Sequence, residues 1–251
     1  MCFSVIVAST LLSQQGSQPK ILIVDHLVIG HRTSNGWKKS TPNLGNPGPL
    51  QRIDLGRLAA LPKVAYTIVD SEINAEARLL SPFQPNLDVA ATVGLASIPR
   101  PVKILSNSNA TYREIVRKAL IARKVTKPNP RITRIVSADL DGNGTQEVLI
   151  EARSSESLRY KSGEYTSDEY SCVLLRAIVN GKVTTFPIHF DTKPPENGLI
   201  NFNRIRAVAD FDGDKTMEFV VSSDFYEGQS AGLWRFKGGK LTRLISHGDG
   251  V

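Results

Sequence analysis

Two cysteines, Cys2 and Cys172, are all that the chain has, so neither a disulfide framework nor a cysteine-rich zinc site can be built from it. The four histidines, His26, His31, His189 and His247, match no H-E-x-x-H or comparable zinc spacing. A glycine loop of the phosphate-cradling kind is also missing. The apolar run from Phe3 to Leu12 is well short of the ~20 residues that a spanning helix needs, so no stable membrane span is expected. That run, followed by the polar stretch Ser13 to Gln18, has the proportions of a leader core and its exit, although no Lys or Arg precedes it. Residues 1–18 are therefore read as a candidate signal peptide, and a secreted or periplasmic location is expected.

Composition sets wider bounds. With 41% hydrophobic and 22% charged residues over 251 positions, the chain can bury a proper core and is not of disordered composition. The net charge of +7 raises the question of a nucleic-acid partner, but the Lys and Arg are scattered. The one dense helical group, Arg113, Arg117, Lys118, Arg123 and Lys124, reads as a solvated helix face. No nucleic-acid partner is expected.

What the chain does have is an acidic nine-residue stretch, Asp139-Leu140-Asp141-Gly142-Asn143-Gly144-Thr145-Gln146-Glu147, that returns as Asp210-Phe211-Asp212-Gly213-Asp214-Lys215-Thr216-Met217-Glu218. Oxygen-bearing side chains at the first, third, fifth and ninth positions, with small residues at the turn, suit a hard cation such as Ca²⁺, which takes six to eight oxygens at once. The opening also fits an EF-hand, but the acid of an EF-hand falls at position 12, where this chain has Ile150. Ile135-Val136 before the loop and Val148-Leu149-Ile150 after it are strand-like runs, not helices. The alternative is a solvated acidic turn, since Asp, Asn and Gly also make turns; a second copy with matching positions favours the ion. Asp214 in place of Asn143 adds a carboxylate and is expected to make the second loop the tighter site. Lys215 in place of Gly144 opposes this if the turn needs positive φ.

Along the chain, Ile21 to Val24 and Leu27 to Ile29 read as strands leading to the turn dipeptide Asn35-Gly36. Residues 38–62 lose periodicity among Pro42, Pro47, Pro49 and Pro62 and are expected to be irregular. Strand signals return at Val64 to Val69 and Leu87 to Leu95. One helix is expected from about Thr111 to Arg123, with Tyr112, Ile115, Val116, Ala119 and Leu120 on one face, Asn109 or Thr111 as cap, and Pro128 and Pro130 beyond its end. Each acidic loop then sits in a four-stranded meander. The expected fold is mainly β: two antiparallel four-stranded, propeller-blade-like units, 131–203 and 204–251, after an irregular N-terminal lobe, 19–108, and a helix with linker, 109–130.

The strand, acidic loop, strand unit with D-x-D-G-[DN]-x-x-x-E resembles the FG-GAP or VCBS-type repeat of integrin-α-like propellers. The resemblance covers residues 131–251, and it departs from the family in lacking the F-G…G-A-P signature. It implies two Ca²⁺ sites, one held by Asp139, Asp141, Asn143 and Glu147 with the backbone of Thr145, the other by Asp210, Asp212, Asp214 and Glu218 with that of Thr216. The one nucleophile-elbow match, G-x-S-x-G at Gly228 to Gly232, is followed by the strand-like Leu233-Trp234-Arg235-Phe236 instead of the helix an elbow needs, so no catalytic residue is assigned. The expectation is an exported, calcium-binding, non-catalytic module for a protein or carbohydrate ligand. The alternative is a hydrolase or enzyme accessory domain with a site between the N-terminal lobe and the repeats.

Overall fold

The computed structural model describes residues 19–41, 44, 46–61, 67–70, 77–80, 88–154, 168–192, 200–225 and 228–250. The candidate leader, residues 1–18, and the first part of the strand expected at Val64 lie outside them. The fold is mainly β, with three antiparallel sheets and one helix among the described residues, and these sheets do not close into a barrel.

The first sheet contains β1 (Lys20–Val24), β2 (Leu27–Thr33), β3 (Gly36–Lys38), β4 (Leu50–Asp54), β5 (Arg57–Ala60), β6 (Thr67–Asp70), β7 (Ala77–Leu80) and β8 (Val89–Thr92). The β-rich lobe forms one eight-stranded sheet, with β1, β2, β6 and β8 where strands are expected. Its β4–β5 hairpin falls within 38–62, where prolines and glycines between four- and five-residue strands hide their alternation.

Next come β9 (Val102–Ile104), the helix α1 (Ala110–Ala122), β10 (Ile132–Ala138), β11 (Glu147–Arg153), β12 (Tyr170–Val179) and β13 (Lys182–Thr192). Strands β10 to β13 form the expected meander, and β9 adds a fifth strand beside β10. Asn109 caps α1 by accepting a hydrogen bond from the Tyr112 N–H at 3.3 Å. The helix buries Val116 and Leu120 against Ile135, Ile150, Cys172 and Leu174 of this second sheet. The third sheet is the meander β14 (Phe202–Ala209), β15 (Glu218–Phe225), β16 (Gly228–Lys237) and β17 (Lys240–Gly250).

The third sheet is the middle layer. Ala207, Ala209, Val220, Ala231 and Leu233 meet Leu22, Val24, Leu27 and Ile29 of the first sheet. On the other face Ile205, Val208, Phe219, Val221 and Phe236 meet Val136, Leu149, Val173 and Leu175 of the second. Burial on both faces is why Phe219-Val220-Val221 is a continuous apolar run and does not alternate. The layers therefore stack as first sheet, third sheet, second sheet, helix.

Polar clamps fix this stack. A β-bulge in β14 lies between Ile205 and Ala207. The Ile205 N–H donates to Glu151 Oε2 at 2.9 Å, and its carbonyl accepts from Arg134 Nη1 at 2.6 Å. Thr133 Oγ1 donates to Glu151 Oε1 at 2.6 Å. Glu151 is buried, so Glu151→Ala should leave the Ile205 N–H without its acceptor and Thr133 with only the residue-151 carbonyl at 3.3 Å, and cost about 1–3 kcal/mol in urea denaturation, with Glu151→Gln recovering part of it. A loss indistinguishable from that of an exposed alanine substitution would show that the clamp does not hold the layers.

Candidate metal centres

Each acidic loop joins the first two strands of its meander, β10 to β11 and β14 to β15, and turns on its own leading carboxylate. Asp139 Oδ1 accepts the Gly142 N–H at 2.8 Å and Oδ2 the Gly144 N–H at 3.2 Å. Asp210 does the same with Gly213 at 2.7 Å and Lys215 at 3.0 Å. The loop's second residue, Leu140 or Phe211, is buried in the core, and its N–H donates to the closing acid: Leu140 to Glu147 Oε2 and Phe211 to Glu218 Oε2, both at 2.8 Å. The backbone at the sixth position has φ 87° at Gly144 and 67° at Lys215. The lysine thus adopts the strained left-handed conformation that glycine takes freely.

The chain forms two carboxylate clusters, Asp139–Asp141–Glu147 and Asp210–Asp212–Glu218, each with one oxygen per residue lying within 4.8 Å of the others. Such an arrangement can hold a metal ion. The fifth-position side chains turn back on the loop: Asn143 Oδ1 accepts the Thr145 N–H and Asp214 Oδ1 the Thr216 N–H, both at 2.7 Å.

The clusters differ in what neutralises them. In the second, Arg235 of β16 lies among the carboxylates. Its Nε donates to Glu218 Oε1 at 2.8 Å, its Nη2 contacts Asp212 Oδ2, and its Nη1 lies 3.7 Å from Asp214 Oδ2. Arg32 adds a second cation 3.6 Å from Asp212, and Lys237 lies 3.2 Å from Asp214. The extra carboxylate expected to tighten this loop is therefore engaged by cations of the chain itself.

In the first cluster the adjoining cation is Arg100, whose Nε and Nη2 donate to the backbone carbonyls of Asp139 and Leu140 at 2.6 and 3.1 Å. It also lies 3.5 Å from Asp139 Oδ2. Glu147 is 1% exposed, and its Oε1 has no hydrogen-bond partner among the described residues. Strand register explains the contrast. One position beyond the pairs Val148–Arg176 and Phe219–Trp234, the residue facing Glu147 is Ala177 and the one facing Glu218 is Arg235.

Burial first, and then Asp141 and Asp139, push the Glu147 carboxyl from 4.5 up to about 7, against the hydrogen bond from Leu140. Burial pushes Glu218 upward too, opposed by Phe211 and Arg235. A carboxyl raised in the folded state contributes stability that is complete below its unfolded value, here about 4.5, and is lost as pH rises to about 7. Ion-free protein should thus lose this contribution over that window, and Glu147→Gln should flatten that part of the pH–stability profile. If a cation binds there, proton and cation compete for Glu147, and apparent ion affinity should fall about tenfold per unit below pH ~7. Titrations that give the same affinity well above and well below that pH would contradict the assignment of Glu147 as a ligand.

The nucleophile-elbow match and the remaining cysteine can be placed in the fold. Gly228 to Gly232 lies inside β16, so Ser230 is on a strand and not on a strand-to-helix elbow. Ser230 pairs with Gly248 and His247 with Ala231, so the two do not face each other across the strands, although both border one cleft. Cys172 is fully buried, and burial pushes its thiol up to about 12, so it carries no reactive thiolate. Among the described residues no helix is long and apolar enough to cross a membrane.

Arg235, Arg32, Lys237 and Arg100 were not legible as site residues, because each reaches its loop through strand pairing or layer packing rather than local spacing. Only a correct strand register would have placed Arg235 opposite Glu218. Compared with protein-family models, curated proteins and solved structures, the chain matches none.

Proposed function

We propose that the protein is an exported, non-catalytic binding or structural module of the FG-GAP or VCBS kind whose Asp139 loop holds Ca²⁺. The observation that carries this reading is Glu147 Oε1, a buried carboxylate oxygen that converges with Asp139 and Asp141 and meets no donor among the described residues. A buried acid in that position is satisfied by a proton or by a cation, and an all-oxygen set suits Ca²⁺ better than softer metals. Asp139, Asp141 and Glu147 supply carboxylates, and the Asn143 side chain and the Thr145 carbonyl lie on the same loop. In the Asp210 loop Arg235 takes the counter-charge role, so one ion per chain is the reading. Export is supported by the apolar run before residue 19, and the partner it suits is a protein or carbohydrate.

The test is metal analysis of the purified protein together with thermal melts after chelation. Ca²⁺ should stabilise by about 1.4 kcal/mol for each tenfold excess over Kd, with Kd in the 10⁻⁴–10⁻³ M range of extracellular modules. Mg²⁺ should do much less, because it demands tighter octahedral geometry and keeps its waters. A melting temperature that ignores millimolar Ca²⁺ would sink the proposal.

A further inference from the structure

Where β16 and β17 face the second sheet, the third sheet is hollowed. Ser230, Gly232 and Trp234 share one face of β16 by alternation, and β17 sets Gly248, Ser246 and Arg243 opposite them. Four of these six side chains are serine or glycine, too small to fill the space between layers. The result is a cleft of about 330 Å³ with Val221 and Gly232 in its lining. His189 of β13 stands edge-on to the Trp234 indole, ring centroids 5.9 Å apart, and Lys39, just after β3, contributes to the rim. The glycines are needed for this shape. A Cβ on Gly232 would lie 3.0 Å from Trp234 Nε1, and one on Gly248 would lie 2.6 Å from the Ser230 Cβ.

The lining is rich in donors and carries positive charge. Arg243 and Lys39 line the cleft, and among the described residues no carboxylate does. The acids nearest in sequence to its lining are engaged elsewhere: Asp191 accepts from Asn203 Nδ2 at 2.5 Å, and Asp249 from the Gln229 N–H at 3.1 Å. The Arg243 guanidinium is held 5.7 Å from the Trp234 ring centroid, and among the described residues it pairs with no carboxylate. Trp234 Nε1, against the Gly232 wall, is shielded from water and meets no acceptor among the described residues. Two cations, two hydroxyls and an unused indole N–H in one concave site call for acceptor oxygens bearing negative charge.

We propose that this cleft binds a small molecule carrying a carboxylate or phosphate group, with Arg243 and Lys39 supplying charge, Ser230 and Ser246 hydrogen bonds, and the Trp234 ring a face for its less polar body. The site is separate from the ion loops. Its Ser230 end pairs with Ser223, five residues along β15 from Glu218, roughly 17 Å at the rise of a strand, while at its other end Trp234 pairs with Phe219 and turns to the opposite face from Glu218 and Arg235. No residue of either acidic loop lines the cleft, so the anion site and the ion loops are distinct.

The chain has two tryptophans, so Trp37→Phe leaves Trp234 as the only indole reporter. Its fluorescence is titrated with inorganic phosphate, glucose 6-phosphate, citrate and neutral glucose at constant ionic strength, and calorimetry on the unsubstituted protein repeats the series in case Trp37→Phe perturbs the fold. A saturable response to phosphate-bearing or carboxylate-bearing probes, and none to glucose, is the expected result, and the responding set tells the two groups apart. Arg243→Gln should weaken binding by about tenfold or more, the equivalent of one charge-assisted hydrogen bond, and Lys39→Gln by less. No saturable signal with any anion by either method, an equal response to glucose, or undiminished affinity in Arg243→Gln would each overturn the proposal.

Discussion

Replacing Arg235 with alanine should raise the number of Ca²⁺ ions bound per chain from one to two. The guanidinium contacts Asp212 and Glu218 and lies 3.7 Å from Asp214, so it supplies the positive charge that an ion would otherwise bring. Burial disfavours a charged guanidinium, but Glu218 and Asp212 outweigh it and raise the Arg235 pKa. Removing it leaves Glu218, fully buried, beside two aspartates, with Arg32 and Lys237 the remaining cations. Breaking a buried pair from one side typically costs about 3–5 kcal/mol. Chelated Arg235→Ala protein should lose stability on that scale, up to the limit at which Glu218 takes a proton instead. Millimolar Ca²⁺ should then restore most of it, because Asp210, Asp212 and Glu218 repeat the carboxylate triad of the first loop. Calorimetric titration with Ca²⁺ reads the stoichiometry directly. A count that stays at one, with the loss of stability unrelieved by Ca²⁺, would mean that strain at Lys215 or the neighbouring cations keep the loop closed to ions. A wild-type count of two would show that Arg235 yields to Ca²⁺ unaided.

The largest purely apolar effect is expected from Phe211→Ala. Phe211 is the second residue of the Asp210 loop and is fully buried among Ala207, Ala209, Val220 and the apolar face of the first sheet. Truncating a buried phenylalanine costs about 3–5 kcal/mol, through the lost transfer energy and the cavity it leaves. The same residue's N–H donates to Glu218, so its ring anchors the segment that positions the loop's closing acid. Urea denaturation with an unchanged m-value should report the loss. A cost below about 1 kcal/mol would mean that the neighbouring layers collapse into the space.

The parts of the fold legible in the sequence were those governed by local chemistry. The strands around both loops, the Asn109 cap and the apolar stripe of α1 follow from alternation, capping and 3.6-residue periodicity, and the carboxylate triads follow from spacing within nine residues. In the first sheet, β1, β2, β6 and β8 fall where strands were expected, and it was β4 and β5 that were hidden, because short strands such as Arg57–Ala60, exposed throughout, carry no burial pattern to read. The inequality of the two loops was hidden for another reason. It depends on which residue of a strand 17 positions after Glu218 faces back toward it, and a one-residue slip in pairing would have placed Trp234 or Phe236 there instead.

The order of layers differs from the order of the chain, and this bears on how the protein is made. The sheet built from residues 202–250 lies between the two sheets that precede it. Until those residues leave the ribosome, Leu22, Val24 and Ile29 on one side and Val136, Leu149 and Val173 on the other have no apolar surface to cover them. The earlier segments cannot finish folding in sequence as they emerge. They wait with two exposed apolar faces for the last four strands to enter, a topology of long-range pairings that slows folding and leaves the nascent chain dependent on protection from aggregation.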